Sequence, residues 1–313
     1  MVELIIHLGL AKCGSTLIQA ILRNEAISEH LKSLNYAFIE SGKDIWEDLY
    51  GRSTDTYNNL WEDEGTYDHI DDSILNKYRE KIIEDTHQTQ AEKVILSQEG
   101  FSTLLIFHPS FAQRFFERVL MPLKTEFNVR VILFLRRQDH YVESYYSHMV
   151  KRGYGGTVDD FLTILPLSYL SWKDHVSSCS QIATDQTVRI LPFAPDVIRT
   201  VLDKSVDEAF LSLCGLNLNI AQNEQLINPS SSPDLLEVMS FINRSLPHER
   251  AVEINQHLSV SFPKIPGENF DLLPAKTKEN LSQLYEKENR DLISVHLPQF
   301  PLDSLSLANI STE

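Results

Sequence analysis

A lysine, two glycines and two hydroxyl side chains lie close together near the start of the chain, within residues 9–16. An apolar run, residues 4–8, precedes this stretch, and leucine and isoleucine recur at helical spacing directly after it, in residues 17–22. This order predicts a buried strand, a tight turn and the start of a helix. Such a turn directs backbone N–H groups and the positive end of a helix dipole toward one point, so we expect it to bind phosphate or sulfate.

The spacing is close to that of the nucleotide-binding P-loop, G-x-x-x-x-G-K-[ST], but the lysine is displaced. Gly9 and Gly14 match the two glycines, whereas Lys12 precedes the second glycine instead of following it. The pattern is therefore K-x-G-S-T. The alternative interpretation is an ordinary strand-to-helix turn that needs its glycines for packing and carries Lys12 by chance.

Two arginines, Arg136 and Arg137, follow residues 129–135, which are apolar except for Arg130 and end in a continuous apolar run. A continuous apolar run predicts a central strand of a parallel sheet, and ligands bind such sheets at the carboxyl ends of the strands. We expect Asp139 to cap the next helix, which places Ser144 in its second turn. The fork of an arginine suits phosphate, although a surface arginine pair is the simpler interpretation of this strand end taken alone.

The whole pattern predicts an α/β fold with a central, mainly parallel five-stranded sheet and helices on both faces. The predicted strands are residues 4–8, 35–40, 94–96, 129–135 and 187–191. The predicted helices include residues 15–33, 72–88, 109–127, 233–246 and 274–295. We expect one domain over residues 1–313, with an α/β core in about 1–220 and a helical portion in about 228–313.

The composition excludes several classes of protein. The formal net charge of −16 argues against a nucleic-acid binder, which needs a basic face. Cys13, Cys179 and Cys214 are odd in number and lack metal-ligand spacing, so we expect reduced thiols and a cytoplasmic location. No stretch reaches the roughly 20 apolar residues of a membrane span, and we expect no signal peptide. Cys13 lacks a hydrolase signature around it, so no nucleophilic role is expected.

Residues 46–72 combine several acids with tryptophans and tyrosines and show no clear period. Long insertions of this kind are often lids or substrate loops. Aromatic rings beside carboxylates would suit a sugar, and a solvated surface loop explains the composition equally well.

The two strand-end motifs together resemble those of sulfotransferases that use 3′-phosphoadenosine-5′-phosphosulfate (PAPS). In that family a K-[ST]-G-[ST]-T turn follows the first strand and holds the 5′-phosphosulfate, and residues 12–16 match it. A strand-end arginine with a serine eight residues later holds the 3′-phosphate, as Arg136 and Ser144 would here. The resemblance is strongest to bacterial enzymes that modify carbohydrates, and it implies a three-layer, P-loop-like fold.

Two positions of the turn depart from the family pattern: Ala11 replaces a common proline, and Cys13 replaces a common threonine or serine. Both changes leave the backbone N–H groups in place. The late glycine-rich segment of sulfotransferases that act on small phenols is not evident; Lys151 to Gly156 is interpreted as a helix-ending loop. The resemblance therefore favours a glycan acceptor.

The resemblance implies transfer of the sulfuryl group from PAPS to a hydroxyl or amine of a glycan or another hydroxylated acceptor, with no metal required. Lys12 would stabilise the bridging oxygen of the leaving phosphate. Glu99, just past the third strand, would be the general base, with His108 as the second candidate; His7 is interpreted as a core histidine. The expected donor-binding residues are Ala11, Lys12, Cys13, Gly14, Ser15, Thr16, Arg136 and Ser144.

Two other functions fit the same residues. The first is a P-loop-type kinase with a displaced lysine, which would use ATP with Mg²⁺. The second is a non-catalytic nucleotide-binding protein of the same fold, in which Glu99 has no chemical role. The sequence identifies neither the acceptor nor the oligomeric state.

Overall fold

The structure is a computed structural model. The described residues are 1–10, 12–40, 70–98, 100–165, 167–218, 231–262, 271–302 and 304–305. Ala11 and Glu99, both predicted site residues, lie outside this part of the chain, and so do residues 46–69 of the predicted insertion.

The sheet has five parallel strands, which confirms the predicted fold class. The strands are β1 (Glu3–His7), β2 (Tyr36–Ile39), β3 (Lys93–Ser97), β4 (Asn128–Leu135) and β5 (Val188–Pro192). Their order across the sheet is β2-β3-β1-β4-β5. Each strand lies within a few residues of a predicted one, because each has an apolar stretch of the kind that marks buried parallel strands.

The strand order reverses at β1, which is the centre of the sheet. His7, the last residue of β1, is level with Ser97 on β3 and with Ile132 on β4. In open parallel sheets a crevice forms where the order reverses, at the carboxyl ends of the strands. The turn after β1 therefore lies between the ends of β3 and β4.

Helices cover both faces of the sheet. They are α1 (Ser15–Arg23), α2 (Glu25–Ser33), α3 (Asp72–Gln88), α4 (Gly100–Phe107), α5 (Pro109–Phe115), α6 (Gln138–Lys151), α7 (Val158–Ile164), α8 (Trp172–Ser180), α9 (Pro195–Leu202), α10 (Val206–Leu213), α11 (Pro233–Ser245), α12 (His248–Ser261) and α13 (Ala275–His296). Among the described residues, no helix has the length and apolar content needed to cross a membrane.

Two helix predictions were wrong in the same way. The predicted helix 15–33 is two helices, because Asn24 is extended and its side chain caps α2 by accepting from the N–H of Ile27. The predicted helix 109–127 is α5, a π-helix (Phe116–Leu120) and a 3₁₀-helix (Met121–Thr125). Pro122 lacks a backbone N–H, so a regular α-helix cannot continue through it.

The last three helices are attached to the α/β part through α6. Asn243 of α11 and Asn255 of α12 both donate to the carbonyl of Val150. Gln138 and Asn289, on α6 and α13, exchange two amide hydrogen bonds. These buried polar contacts fix α6, which begins at the carboxyl end of β4 and so borders the crevice.

Candidate functional site

The turn after β1 is folded tightly by two residues in the left-handed conformation. Lys12 has φ of 68° and Gly14 has φ of 83°. The N–H of Cys13 donates to the carbonyl of Leu10 at 3.0 Å, which closes the turn. A left-handed lysine costs about 1 kcal/mol of conformational energy or more. Strained residues of this kind cluster at ligand-binding sites.

Both glycines of the turn are required by packing. A Cβ on Gly14 would lie 2.5 Å from Cε2 of Phe193, and a Cβ on Gly9 would overlap Oγ of Ser15. Packing alone therefore explains why these positions are glycine. The evidence for an anion site must come from the N–H groups and the charges around the turn.

The N-terminus of α1 is open. Gly14 is the N-cap residue, and among the described residues no side chain caps the helix. The N–H of Ile18 donates to the carbonyl of Gly14, and Ser15, Thr16 and Leu17 come before Ile18 in the helix. In the described part of the chain these three N–H groups have no backbone or side-chain acceptor. Such groups form an anion site together with the helix dipole.

The side chains of the turn divide into two groups. Cys13 and Ser15 are buried, Lys12 is partly exposed and Thr16 is exposed. Among these side chains only Lys12 and Thr16 therefore present polar groups to solvent. A nucleophilic role for Cys13 is not supported by its burial.

Arg136, of the predicted 3′-phosphate motif, contacts the turn after β1, which is the predicted 5′-phosphosulfate motif. Its Nη1 donates to the carbonyl oxygen of Lys12 at 2.8 Å, and its guanidinium lies 5.6 Å from the ring centroid of Phe193. Its own carbonyl accepts from Nε1 of Trp172 at 2.7 Å. Burial lowers the pKa of Arg136, although an arginine stays charged at any physiological pH. The ends of β1 and β4 thus place two cations at one crevice.

The neighbouring arginine has a different partner. Arg137 donates from Nε and Nη2 to the two carboxylate oxygens of Asp139, both at 2.7 Å. Burial raises the pKa of Asp139, but the hydrogen bonds from Arg137 outweigh this effect and leave that pKa below its usual value. The prediction that Asp139 caps α6 was wrong: the helix begins at Gln138 without a side-chain cap. The carboxylate lies past the cap position and binds Arg137 instead.

One face of α6 carries Ser144, His148 and Lys151, which are spaced four and three residues apart. Burial and then the charge of Lys12 lower the pKa of Lys151 to about 8. The same two causes, in that order, contribute to lowering the pKa of His148 to about 3. His148 and Lys151 therefore lie near the anion turn. Neither residue is among the predicted site residues, although their helical spacing from Ser144 was a usable signal.

The predicted general bases can be placed only in part. Glu99 lies outside the described residues, but Gln98 before it donates its N–H to the carbonyl of His7 at 3.1 Å. The chain therefore leaves β3 beside the start of the turn. His108 follows α4, and the eight residues of that helix extend roughly 12 Å. Burial lowers the pKa of His108 to about 4, so it is neutral at physiological pH.

The predicted core histidine is confirmed as buried. His7 has no exposed surface, and its Nδ1 lies 2.9 Å from Oγ of Ser97. Its ring contacts Phe134 and Phe210 with centroid distances of 5.5 and 5.1 Å. Burial lowers its pKa to about 3.

A separate cavity of about 400 Å³ lies between α5 and α8. Its lining is acidic and neutral, and it includes Glu117, Asp174 and His175. None of the described residues that line it is a lysine or arginine. It therefore lacks the positive charge that the crevice at the sheet edge provides.

Within the described residues, no cluster of three or more histidine, cysteine, aspartate or glutamate side chains could hold a metal ion. Comparisons of the chain with protein-family models, with characterised proteins and with solved structures gave no match. The functional inference is therefore based on the residues and geometry of the crevice.

Proposed function

We propose that this protein is a sulfotransferase that moves the sulfuryl group of PAPS to an acceptor hydroxyl or amine, with a carbohydrate or glycan as the acceptor class. The observation that carries the proposal is the 2.8 Å contact between Nη1 of Arg136 and the carbonyl of Lys12. It joins two anion-binding motifs, 124 residues apart in sequence, around one open helix N-terminus. A donor with phosphates at two positions matches this arrangement.

The proposed roles follow from the positions of these groups. The N–H groups at the start of α1 hold the 5′-phosphate, and Thr16 adds a hydroxyl. Arg136 and Ser144 hold the 3′-phosphate. Lys12 places its ammonium at the oxygen that bridges sulfur and phosphorus, where negative charge develops as that bond breaks. Preorganised charges aimed at such an atom are usually the largest single contribution to catalysis.

The reaction is an in-line displacement at sulfur. The acceptor oxygen forms a bond to sulfur while the bond from sulfur to the 5′-phosphate oxygen breaks, and 3′-phosphoadenosine-5′-phosphate (3′,5′-ADP) leaves. A base must remove the acceptor proton, which is worth typically 10²–10⁴-fold in rate. We assign this role to Glu99, which follows Gln98 in the sequence; the N–H of Gln98 donates to the carbonyl of His7. His108 is the second candidate, and the length of α4 separates it from that strand end.

The kinase alternative requires a lysine directly after the second glycine, where it would reach the β- and γ-phosphates. This chain has Ser15 at that position, and its side chain is buried. The lysine that the chain does carry is two residues before Gly14, on the left-handed part of the turn. These observations favour the PAPS donor over ATP.

The test is a transfer assay with ³⁵S-labelled PAPS and a panel of neutral, acidic and amino-containing oligosaccharides. We expect labelled product with at least one acceptor and loss of transfer in Lys12→Ala. Lys32→Ala, an exposed lysine of α2, is the matched control and should retain wild-type transfer. Transfer in Lys12→Ala at the wild-type rate would contradict the proposed mechanism.

A further inference from the structure

A buried polar chain lies directly beneath the anion turn. It begins at Ser97, the last residue of β3, continues through the ring of His7 on β1, and points toward Ser15 at the start of α1. Nδ1 of His7 lies 2.9 Å from Oγ of Ser97. Because burial lowers the pKa of His7 to about 3, the ring is neutral at physiological pH and carries one N–H. It can donate at one nitrogen and accept at the other.

Two buried polar atoms lie close to Gly9. Nε2 of His7 and Oγ of Ser15 are both buried, and neither has a hydrogen-bond partner among the described residues. A Cβ on Gly9 would lie 3.2 Å from this Nε2 and would overlap this Oγ. Both atoms therefore border the small space that the missing side chain of Gly9 leaves. A buried polar atom without a partner costs stability, so a functional reason for the arrangement is expected.

We propose that His7 is a positioning residue for the anion turn: when an anion binds, its Nδ1 accepts from the hydroxyl of Ser97, and its Nε2–H donates to Oγ of Ser15. In this tautomer Ser15 receives a hydrogen bond from the ring and keeps its own proton for the anion side of the turn. In the other tautomer Ser15 would donate its proton into the ring. Only the first arrangement leaves the turn with an additional donor.

The hydrogen bonds of Ser97 and His7 also connect the turn to the segment that carries the proposed base. Ser97 is followed by Gln98, whose N–H donates to the carbonyl of His7, and the carbonyl of Ser97 accepts from Nε2 of Gln19 on α1. His7 thus fixes β3, β1 and α1 relative to one another at the crevice. This inference rests on the proposed function only for the identity of the anion, not for its presence.

The tautomer is measured directly by imidazole ¹⁵N NMR of the wild-type protein with bound 3′,5′-ADP. We expect the His7 spectrum of a neutral ring protonated at Nε2. A ring protonated at Nδ1 in the complex would overturn the proposal. This measurement needs no variant, so it remains decisive if substitutions at His7 prevent folding.

Two variants separate the two ring nitrogens. The amide nitrogen of His7→Gln can replace Nε2, whereas His7→Asn retains only a group near Nδ1. We expect His7→Asn to bind pyrophosphate and 3′,5′-ADP about tenfold more weakly, and His7→Gln to stay within about threefold of the wild type. Equal losses in both variants would indicate a general packing role and overturn the proposal, as would unchanged binding in His7→Asn.

A double variant tests whether His7 acts through Ser15. Ser15→Ala should weaken binding in the wild type but add little in His7→Asn, because the hydrogen bond is already lost. Additive losses would contradict the assignment. The two probes also separate this inference from the proposed function. Wild-type binding of pyrophosphate without 3′,5′-ADP would contradict the PAPS proposal alone and leave His7 testable on pyrophosphate. Binding of neither probe would contradict both.

Discussion

The ends of β1 and β4 meet at one crevice, but they present charge in different ways. At the end of β1 the side chains of Cys13 and Ser15 are buried, and backbone N–H groups, Lys12 and Thr16 border the crevice. At the end of β4 the backbone is occupied, since the carbonyl of Arg136 accepts from Trp172, and the guanidinium is the available group. The first site therefore depends on conformation and the second on side-chain charge.

The same contrast exists within the β4 end. Arg136 contacts the carbonyl of Lys12, whereas Arg137 is held by both oxygens of Asp139. Asp139 is only 2% exposed, so Arg137 neutralises a buried carboxylate. Two adjacent arginines thus have different roles, one at the site and one in the structure.

The largest effect is expected for Lys12→Ala. Removal of the charge at the bridging oxygen should lower kcat by about 10²–10³-fold or more, as loss of one transition-state donor typically does. Affinity for 3′,5′-ADP should fall much less, because that product lacks the sulfuryl group. Rapid-quench kinetics with titration calorimetry measure the two quantities. Equal fold losses in kcat and in 3′,5′-ADP affinity would mean that Lys12 only binds the nucleotide.

Gly14→Ala should disrupt the anion site at the end of β1, which depends on the conformation of the turn. The left-handed φ and the Cβ contact with Phe193 both oppose alanine, so we expect about tenfold or greater loss of 3′,5′-ADP affinity and about 1–3 kcal/mol lower stability. Phe193→Leu in the Gly14→Ala background is the control. The smaller leucine should restore part of the stability that the Cβ clash removes, while the strain of a left-handed alanine at position 14 should remain. Wild-type binding by Gly14→Ala would show that the turn conformation is not required.

The arginine pair gives a matched comparison. Arg136→Gln should weaken 3′,5′-ADP by about tenfold and leave 5′-AMP nearly unchanged, because a charge-assisted contact to the 3′-phosphate is lost. Arg137→Gln should instead lower the free energy of unfolding by about 1–3 kcal/mol, because Asp139 loses its partner, with nucleotide affinity within about threefold. Calorimetry and urea unfolding check both variants. If Arg136→Gln lowered the stability and Arg137→Gln weakened 3′,5′-ADP binding, the roles assigned to the two arginines would be refuted.

The smallest effect is a pH dependence through Lys151. Burial and the charge of Lys12 lower its pKa to about 8, so it is charged below that pH and neutral above it. Affinity for 3′,5′-ADP should therefore fall several-fold between about pH 7 and pH 9. Lys151→Arg should show a flatter profile, because arginine stays charged throughout. A wild-type profile that does not change over this interval would exclude Lys151 from the site.

The sheet was predictable from the sequence, while the helix interruptions were not. Strands such as β4 are long apolar runs that no other element explains, and their alternation with helices indicated a parallel sheet. The break at Asn24 and the irregular turns near Pro122 were missed because the apolar period continues across them. In both segments local backbone chemistry, a side-chain cap and a missing N–H, overrides the period.

From the sequence, the site could be predicted only as a group of charged residues that follow strand ends. Lys12 and Arg136 follow strand ends, so their meeting could be expected from a parallel sheet. The burial of Ser15 and the pairing of Arg137 with Asp139 depend on side-chain packing, which no local pattern encodes. His148 and Lys151 share a helix face with Ser144, but only the tertiary structure brings that face near Lys12.

The most direct test of the central claim is titration calorimetry of the wild-type protein with 3′,5′-ADP, 5′-AMP and ATP with Mg²⁺. We expect tight binding of 3′,5′-ADP, at least about tenfold weaker binding of 5′-AMP because the 3′-phosphate is missing, and no stronger binding of ATP. Preference for ATP with Mg²⁺, or equal affinity for 3′,5′-ADP and 5′-AMP, would contradict a donor that is recognised at two phosphates.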